Sequence, residues 1–418
     1  MVIQLTMRAT PRNIHAQGIG RIGLLGGLLW GLLTSALAIH AAADSPEPHF
    51  SAAGLAAIQA FMDDAVAVGR IPSAQAMLAI DDRVVWQGTA GEMAPGVPMR
   101  EDAIMPLASV GKLFTAVAAM ILVERGAIAL DDPVSRYLPE FTDVRIAVVD
   151  AQDSTRLEAP ARPITIYHLL THTSGLTVSG DEFWAAWDAN TDLTTAHLAR
   201  ALAKLPLVAQ PGERFEYGPT GAAYEVLAAV IEVASGQTLE AFMFENIFEP
   251  LGLQDTFFFV PAERATRWPA QYRMVDGAMV LVQAYADPFP RSTFFHGGGG
   301  VASAPRDILR FAQLFLHQGS VDGVRILAPQ SVAMMMSDQV GEKSTFSDGL
   351  RWGFGASVLP AESGPPLYYG WVGGGYAILW VKPRLKLVAY FAFPLTPPGD
   401  HELLREFERL VDAASEAP

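Results

Sequence analysis

Ser109 and Lys112 stand three residues apart in Met105-Pro-Leu-Ala-Ser-Val-Gly-Lys-Leu-Phe-Thr-Ala116. At the start of a helix that spacing puts both side chains on one face, a few ångströms apart. A serine hydroxyl is a weak nucleophile until a neighbouring base takes its proton. The partial positive charge at a helix N-terminus stabilises negative charge developing on Ser109 and opposes a full charge on Lys112. A lysine relieved of its proton can accept the serine proton, and the chemistry that follows is acyl transfer through an ester on Ser109. Ser-x-x-Lys also occurs on solvated helices as a plain surface pair. Here Met105, Leu107, Leu113, Phe114 and Val117 flank it, which predicts a desolvated setting.

Other patterns invite chemistry but carry less. His168 and His172 have the four-residue spacing of two zinc ligands, yet no Glu stands beside His168 to act as the base of a metallohydrolase. We expect no metal and no cofactor. Gly297–Gly300 is not followed by Lys-Ser/Thr, so it reads as a close-packed turn and not as a phosphate cradle. No Gly-x-Ser-x-Gly elbow exists in the chain, which argues against an α/β-hydrolase triad.

The elements that must hold these residues follow from periodicity. Helical apolar spacing runs over 52–68, with Leu55, Ile58, Phe61, Met62 and Val66 on neighbouring turns. Residues 76–80 and 84–88, joined by Asp81-Asp82, read as a β-hairpin. The middle is mostly helical, at 112–125, 164–171, 196–204, 222–234 and 239–247. A further helix at 305–317 is offered a cap by Ser303 and a stop by Gly319. Strands return at 376–381 and 387–393, before an amphipathic helix over 400–414. Strands at both ends with helices between predict an α+β fold (a form of α/β in the broad sense). Its antiparallel sheet is completed by distant segments, flanked by helices and interrupted by a helical subdomain.

The 418 residues carry 29 Lys+Arg against 44 Asp+Glu, a net charge of −15. That balance argues against a nucleic-acid partner, whose phosphates need a basic face. Arg8, Arg12 and Arg21 precede the apolar stretch Ile22–Ala38 and the small residues Ala41-Ala42-Ala43, with no acid before Asp44. This is the pattern of a secretory leader over 1–43, leaving 44–418 as the mature domain and placing it in the periplasm or outside the cell. The alternative is an uncleaved anchor, since the run approaches spanning length, and only then is a membrane a partner. The chain has no cysteine, so neither disulfides nor a lipid-bearing cysteine contributes.

An ordered set of segments resembles the serine β-lactamase and penicillin-binding-protein superfamily, in particular class C β-lactamases, DD-peptidases and family VIII carboxylesterases. The segments are Gly69-Arg-Ile-Pro72, Ser109-Val-Gly-Lys112, Leu130-Asp-Asp-Pro-Val-Ser-Arg-Tyr-Leu-Pro139 and Ile166-Tyr-His-Leu-Leu-Thr-His-Thr-Ser-Gly-Leu176. Phe215-Glu-Tyr-Gly218, Glu249-Pro-Leu-Gly-Leu253, Gly297-Gly-Gly-Gly-Val-Ala-Ser303 and Gly370-Trp-Val-Gly373 complete it. The resemblance implies a β-lactamase/transpeptidase-like fold, with His168 and His172 in a structural stretch. The family's Tyr-x-Asn box is matched by Tyr217-Gly-Pro219, which makes Tyr217 a partner of Lys112; Pro219 replaces the Asn and has no amide to offer a substrate. Its Lys-Thr-Gly strand is matched by Trp371-Val372-Gly373, closer to the Trp-x-Gly of family VIII esterases. Trp371 substitutes an apolar wall and one N–H donor for a cation. The oxyanion hole is implied to be the backbone N–H groups of Ser109 and Gly374, with Gly373 and Gly374 permitting close approach. The expected activity is hydrolysis of small neutral esters through an acyl-enzyme. Action on β-lactams or cell-wall amides, acyl transfer to an alcohol, and a catalytically silent binding module are the alternatives.

Overall fold

The computed structural model describes residues 49–149, 155–176, 193–218, 222–346, 349–374, 376–396 and 400–416. The expected leader over 1–43 and Pro219 lie outside them. The described residues belong to a compact unit spanning Ser45–Pro418.

Its centre is an eight-stranded antiparallel sheet. In chain order the strands are β1 (Ser73–Ile80), β2 (Arg83–Ala94), β3 (Val97–Pro98), β4 (Arg351–Trp352), β5 (Ser357–Leu359), β6 (Tyr368–Gly373), β7 (Ala377–Lys382) and β8 (Leu387–Ala392). They lie in the order β4-β5-β6-β7-β8-β1-β2-β3, so the N-terminal hairpin docks beside the last C-terminal strand. Asp81, at φ 56°, makes the tight turn of that hairpin. Every residue of β1 and β8 is buried, which is why both read as near-continuous runs of apolar and small residues and not as alternation.

Helices cover both faces. Trp380 pairs with Gly370 across β7 and β6 and stacks on Phe407 of the C-terminal helix α5 (His401–Ala414). Helix α1 (Ala52–Ala67) packs beside α5. Tyr369 points to the opposite face, because neighbours in a strand alternate. It meets Phe315 of α4 (Pro305–Leu316), and Phe311 of α4 stacks on Phe114 of α2 (Lys112–Glu124) at 3.6 Å. Trp371 follows Tyr369 by two residues and shares that inner face. Behind α2 lies α3 (Ala222–Ser235), the spine of the helical region.

The sheet completed by distant segments and the helical insertion are as the periodicity predicts. Three details differ. Ser303 does not cap α4: Ala304 occupies the cap position without a side-chain bond, while Ser303 Oγ lies 2.8 Å from Thr256 Oγ1. Pro305 starts the helix at a position where a missing N–H costs nothing. The helix from Leu239 widens at Phe244–Phe248 and runs on to Leu251, where Gly252 at φ 66° ends it. The hairpin Gln271–Val275/Ala278–Gln283 and the short strands β4 and β5 were not anticipated; β4 and β5, of two and three residues, carry no readable period. Among the described residues no single helix is long and apolar enough to cross a membrane.

Candidate active site

The nucleophile candidate sits on a strained turn. Residues 108–111 form one 3₁₀ turn that runs straight into α2. Ala108, immediately before Ser109, has φ 42°, a left-handed conformation that a Cβ disfavours. The surroundings enforce it. A Cβ on Gly299 would lie 2.8 Å from the Ala108 carbonyl carbon, and one on Gly373 would lie 2.1 Å from the Leu107 carbonyl oxygen. Gly299 and the end of β6 therefore clamp the turn from two sides, and neither position admits a side chain. Gly374 continues from β6 at φ 57°, another position suited to glycine.

All residues of α2 from Lys112 to Leu122 are buried. Lys112 is 2% exposed, and its Nζ donates to Ser109 Oγ at 2.9 Å and to the Gly298 carbonyl at 2.8 Å. The same Nζ lies 5.3 Å from the ring centroid of Tyr217 and 5.8 Å from that of Tyr224. Ser109, Lys112, Tyr217, Trp371 and Gly373 thus come together, as the motifs predict. Buried in this way, the lysine finds ordered partners in a hydroxyl, a carbonyl and two ring faces.

Tyr217 is held by aromatic neighbours. Trp371 Nε1 donates to its hydroxyl at 2.7 Å, and Trp352 and Trp371 meet edge-on at 4.8 Å between centroids. Phe346 packs on Trp371 at 5.2 Å. The N–H of Trp371 is therefore spent on Tyr217 and not offered outward. Trp352 is itself pinned by a bond from its Nε1 to the Leu170 carbonyl, 3.0 Å.

The two histidines take separate duties. His168 Nδ1 accepts the backbone N–H of Thr165 and closes a capping box on the helix Ile166–Leu170. Burial, with Arg162 and Lys343 nearby, pushes its pKa down to about 4. His172 adopts φ 52° and is 2% exposed, stacked on Tyr224 at 5.0 Å and tilted against Tyr217 at 4.7 Å. Burial and the charge of Lys112 drive its pKa well below the usual imidazole value, so it is neutral in the fold. Among the described residues no cluster of three or more His, Cys, Asp or Glu could hold a metal ion.

Glu225, Trp352 and Phe346 escaped the motif search. Glu225 is fully buried on α3 and accepts from His296 Nδ1 (2.5 Å), Gly298 N (2.8 Å) and Gly297 N (3.1 Å). The signal was available for this one: Glu225 is the single charge in the otherwise apolar run 222–231. The turn Gly297–Gly300 is close-packed as expected, and it also supplies the carbonyl that holds Lys112.

The arrangement offers a hydroxyl, a buried amine and a phenol in line, with close backbone approach on both sides. Sequence comparisons accord with it. The profile of the Beta-lactamase family matches residues 57–413. Protein Rv1367c of Mycobacterium tuberculosis is 33% identical over 327 residues, covering 72% of this chain and 80% of that protein. Esterase EstB of Burkholderia gladioli is 32% identical over 377 residues, covering 80% of this chain and 88% of the esterase. Among solved structures, EstCE1, described as a hydrolase with promiscuous acyltransferase activity, superposes with a TM-score of 0.71 at 24% identity, covering 86% of this chain and 98% of its own. That last likeness speaks for the fold alone. With a profile match over most of its length and relatives above 30% identity, the chain belongs to the Beta-lactamase family.

Proposed function

We propose that this protein is a serine hydrolase that cleaves small neutral esters through an acyl-enzyme on Ser109. The observation that carries the proposal is the 2.9 Å contact between the buried Lys112 Nζ and Ser109 Oγ, beside a partly buried group of aromatic rings that includes Tyr217. Ser109 Oγ attacks the ester carbonyl carbon while its proton passes to the Lys112–Tyr217 pair. The negative charge that forms on the carbonyl oxygen is met by the backbone N–H groups of Ser109 and Gly374. The same pair returns the proton to the departing alcohol. Water then attacks the acyl-enzyme by the reverse path, giving the carboxylic acid and free Ser109.

Preference for neutral esters rests on Trp371, which places a large ring where a cation would hold a substrate carboxylate. The relation to Esterase EstB supports the same preference. Kinetics on a nitrophenyl ester of a short acyl chain and on a chromogenic cephalosporin test it. The ester should have the larger kcat/KM. Faster turnover of the cephalosporin than of every neutral ester tried would overturn the proposal. Export completes it: mature protein from the native host should begin near Asp44, and a chain beginning at Met1 in the membrane fraction would contradict cleavage.

A further inference from the structure

Lys112 is also held by a unit outside the Ser-Lys-Tyr motif set. Among the described residues its Nζ has two hydrogen-bond partners, Ser109 Oγ and the Gly298 carbonyl, and only the first is explained by the reaction. The Gly298 carbonyl belongs to a turn that has no side chains of its own to fix it. That turn is anchored by Glu225. The carboxylate accepts both the Gly297 and the Gly298 N–H groups, and Thr115 Oγ1 of α2 donates to the Gly297 carbonyl at 2.6 Å. A Cβ on Gly298 would lie 2.7 Å from Glu225 Oε1 and 3.6 Å from Lys112 Nζ, so carboxylate and amine flank the same glycine. Neither is exposed: Glu225 is 0% and Lys112 2% accessible.

A fully buried carboxylate is costly unless several donors meet it. Three donors do so here, and two of them are the amides of the turn that grips Lys112. A backbone turn alone could have been locked by an Asn or Ser. A carboxyl group brings one oxygen to each of the two turn amides, and so orients the Gly298 peptide whose carbonyl faces the Lys112 amine. The other titratable groups facing Lys112 are Tyr217, Tyr224 and His172, none of which carries a negative charge while it keeps its proton. His296, which bonds Glu225 Oε1, is the member of the unit nearest solvent, with 31% of its side chain exposed.

We propose that Glu225 is a positioning residue: through the Gly297–Gly298 turn it sets the place and orientation of Lys112 relative to Ser109. This rests on the serine-hydrolase proposal, and it extends the working site by a residue 113 positions from Lys112 that touches no substrate.

Glu225→Gln tests it, since the change keeps volume and one acceptor but removes the charge and turns one acceptor into a donor facing an N–H. With a neutral nitrophenyl ester, kcat should fall about tenfold or more, the size of one lost charge-assisted hydrogen bond. KM should stay within about twofold, because no substrate contact is touched. The rate of Ser109 labelling by a fluorophosphonate should fall with kcat. In a Lys112→Ala background the same change should cost almost nothing further, because Glu225 acts through the missing amine. Unchanged kcat in Glu225→Gln, or losses that multiply in the double variant, would overturn the proposal. If Glu225→Gln does not fold, His296→Ala is read instead. It strips one donor from the carboxylate at a partly exposed position. It should lower kcat by about threefold or more with KM unchanged, and no loss overturns the proposal. Ser109→Ala separates the two levels. Residual full activity there defeats the serine-hydrolase proposal itself, whereas a dead Ser109→Ala beside a fully active Glu225→Gln defeats only the role of Glu225.

Discussion

Replacing Trp371 by Phe isolates the hydrogen bond that its indole donates to Tyr217. The indole N–H donates to the phenol oxygen at 2.7 Å, while the ring packs at 4.8 Å from Trp352 and 5.2 Å from Phe346. Phe keeps a ring against both neighbours and deletes the donor. If the phenol oxygen stays neutral throughout the reaction, the lost bond is worth about 0.5–1.5 kcal/mol, much of it paid equally in ground and transition states. If Tyr217 carries negative charge when Ser109 is attacked, the bond is charge-assisted in the transition state and worth about 1.5–3 kcal/mol. The second case predicts a fall in kcat of about 10- to 100-fold. Steady-state kinetics on a short-chain nitrophenyl ester reads it, with thermal melting as the control for packing. Tyr217→Phe should itself lose on the order of 10²–10⁴ in rate, as a positioned proton-transfer group does. In that background Trp371→Phe should add little, because the acceptor is already gone. A Trp371→Phe enzyme within about twofold of wild type in kcat would refute a charged Tyr217 oxygen in the transition state.

Two further outcomes follow from the same geometry. Gly373→Ala brings a Cβ to 2.1 Å from the Leu107 carbonyl oxygen, a backbone atom that cannot step aside. We expect a destabilisation of about 1–3 kcal/mol in chemical denaturation and loss of fluorophosphonate labelling, and a variant with unchanged midpoint and labelling would contradict the clamp. The second concerns acid. The pKa of His168 is depressed in the fold to about 4 from 6.5, so the unfolded chain takes up the proton first as pH falls. The stability that neutral His168 contributes is complete above pH 6.5 and is lost between there and about pH 4. His172 acts in the same direction. Buried Asp307 and half-buried Glu232 and Glu408, whose pKa values are raised by desolvation, act in the opposite one. The melting temperature of His168→Asn relative to wild type should therefore improve as pH drops from 7 to about 4.5, and a constant difference would argue against a half-buried His168 that stays neutral in the fold.

The parts of the site that were readable from the chain are those whose geometry is local. Ser109 and Lys112 are fixed by helical spacing alone, and apolar residues on all sides of α2 announced the burial of the lysine. The close approach at Gly373 was readable only through the resemblance of Trp371-Val372-Gly373 to the family's strand motif, with its register set by the strand that follows. What stayed hidden depends on meetings across long separations. Trp352 reaches Tyr217 from 135 residues away, and nothing in its neighbourhood distinguishes it from a core tryptophan. The N–H of Trp371 was readable as a donor but not its destination, which the fold sets by bringing β6 against the loop that carries Tyr217. Ser303 was mistaken for a helix cap because its local pattern is right; a buried partner, Thr256, competes for its hydroxyl and wins. His172 has the spacing of a metal ligand, and only the packing of Tyr217 and Tyr224 on its ring reveals a wall of the site. Glu225 was visible as an odd charge in an apolar helix, yet its partners at 296–298 come from a different part of the chain.

Mass spectrometry of the protein after brief exposure to a fluorophosphonate tests the central claim most directly. Wild type should gain one adduct, on the peptide that contains Ser109, in step with loss of esterase activity. Ser109→Ala should gain none and hydrolyse nothing while melting as wild type does. An adduct on another residue, or an active Ser109→Ala enzyme, would contradict the assignment of Ser109 as the nucleophile and with it the acyl-enzyme mechanism.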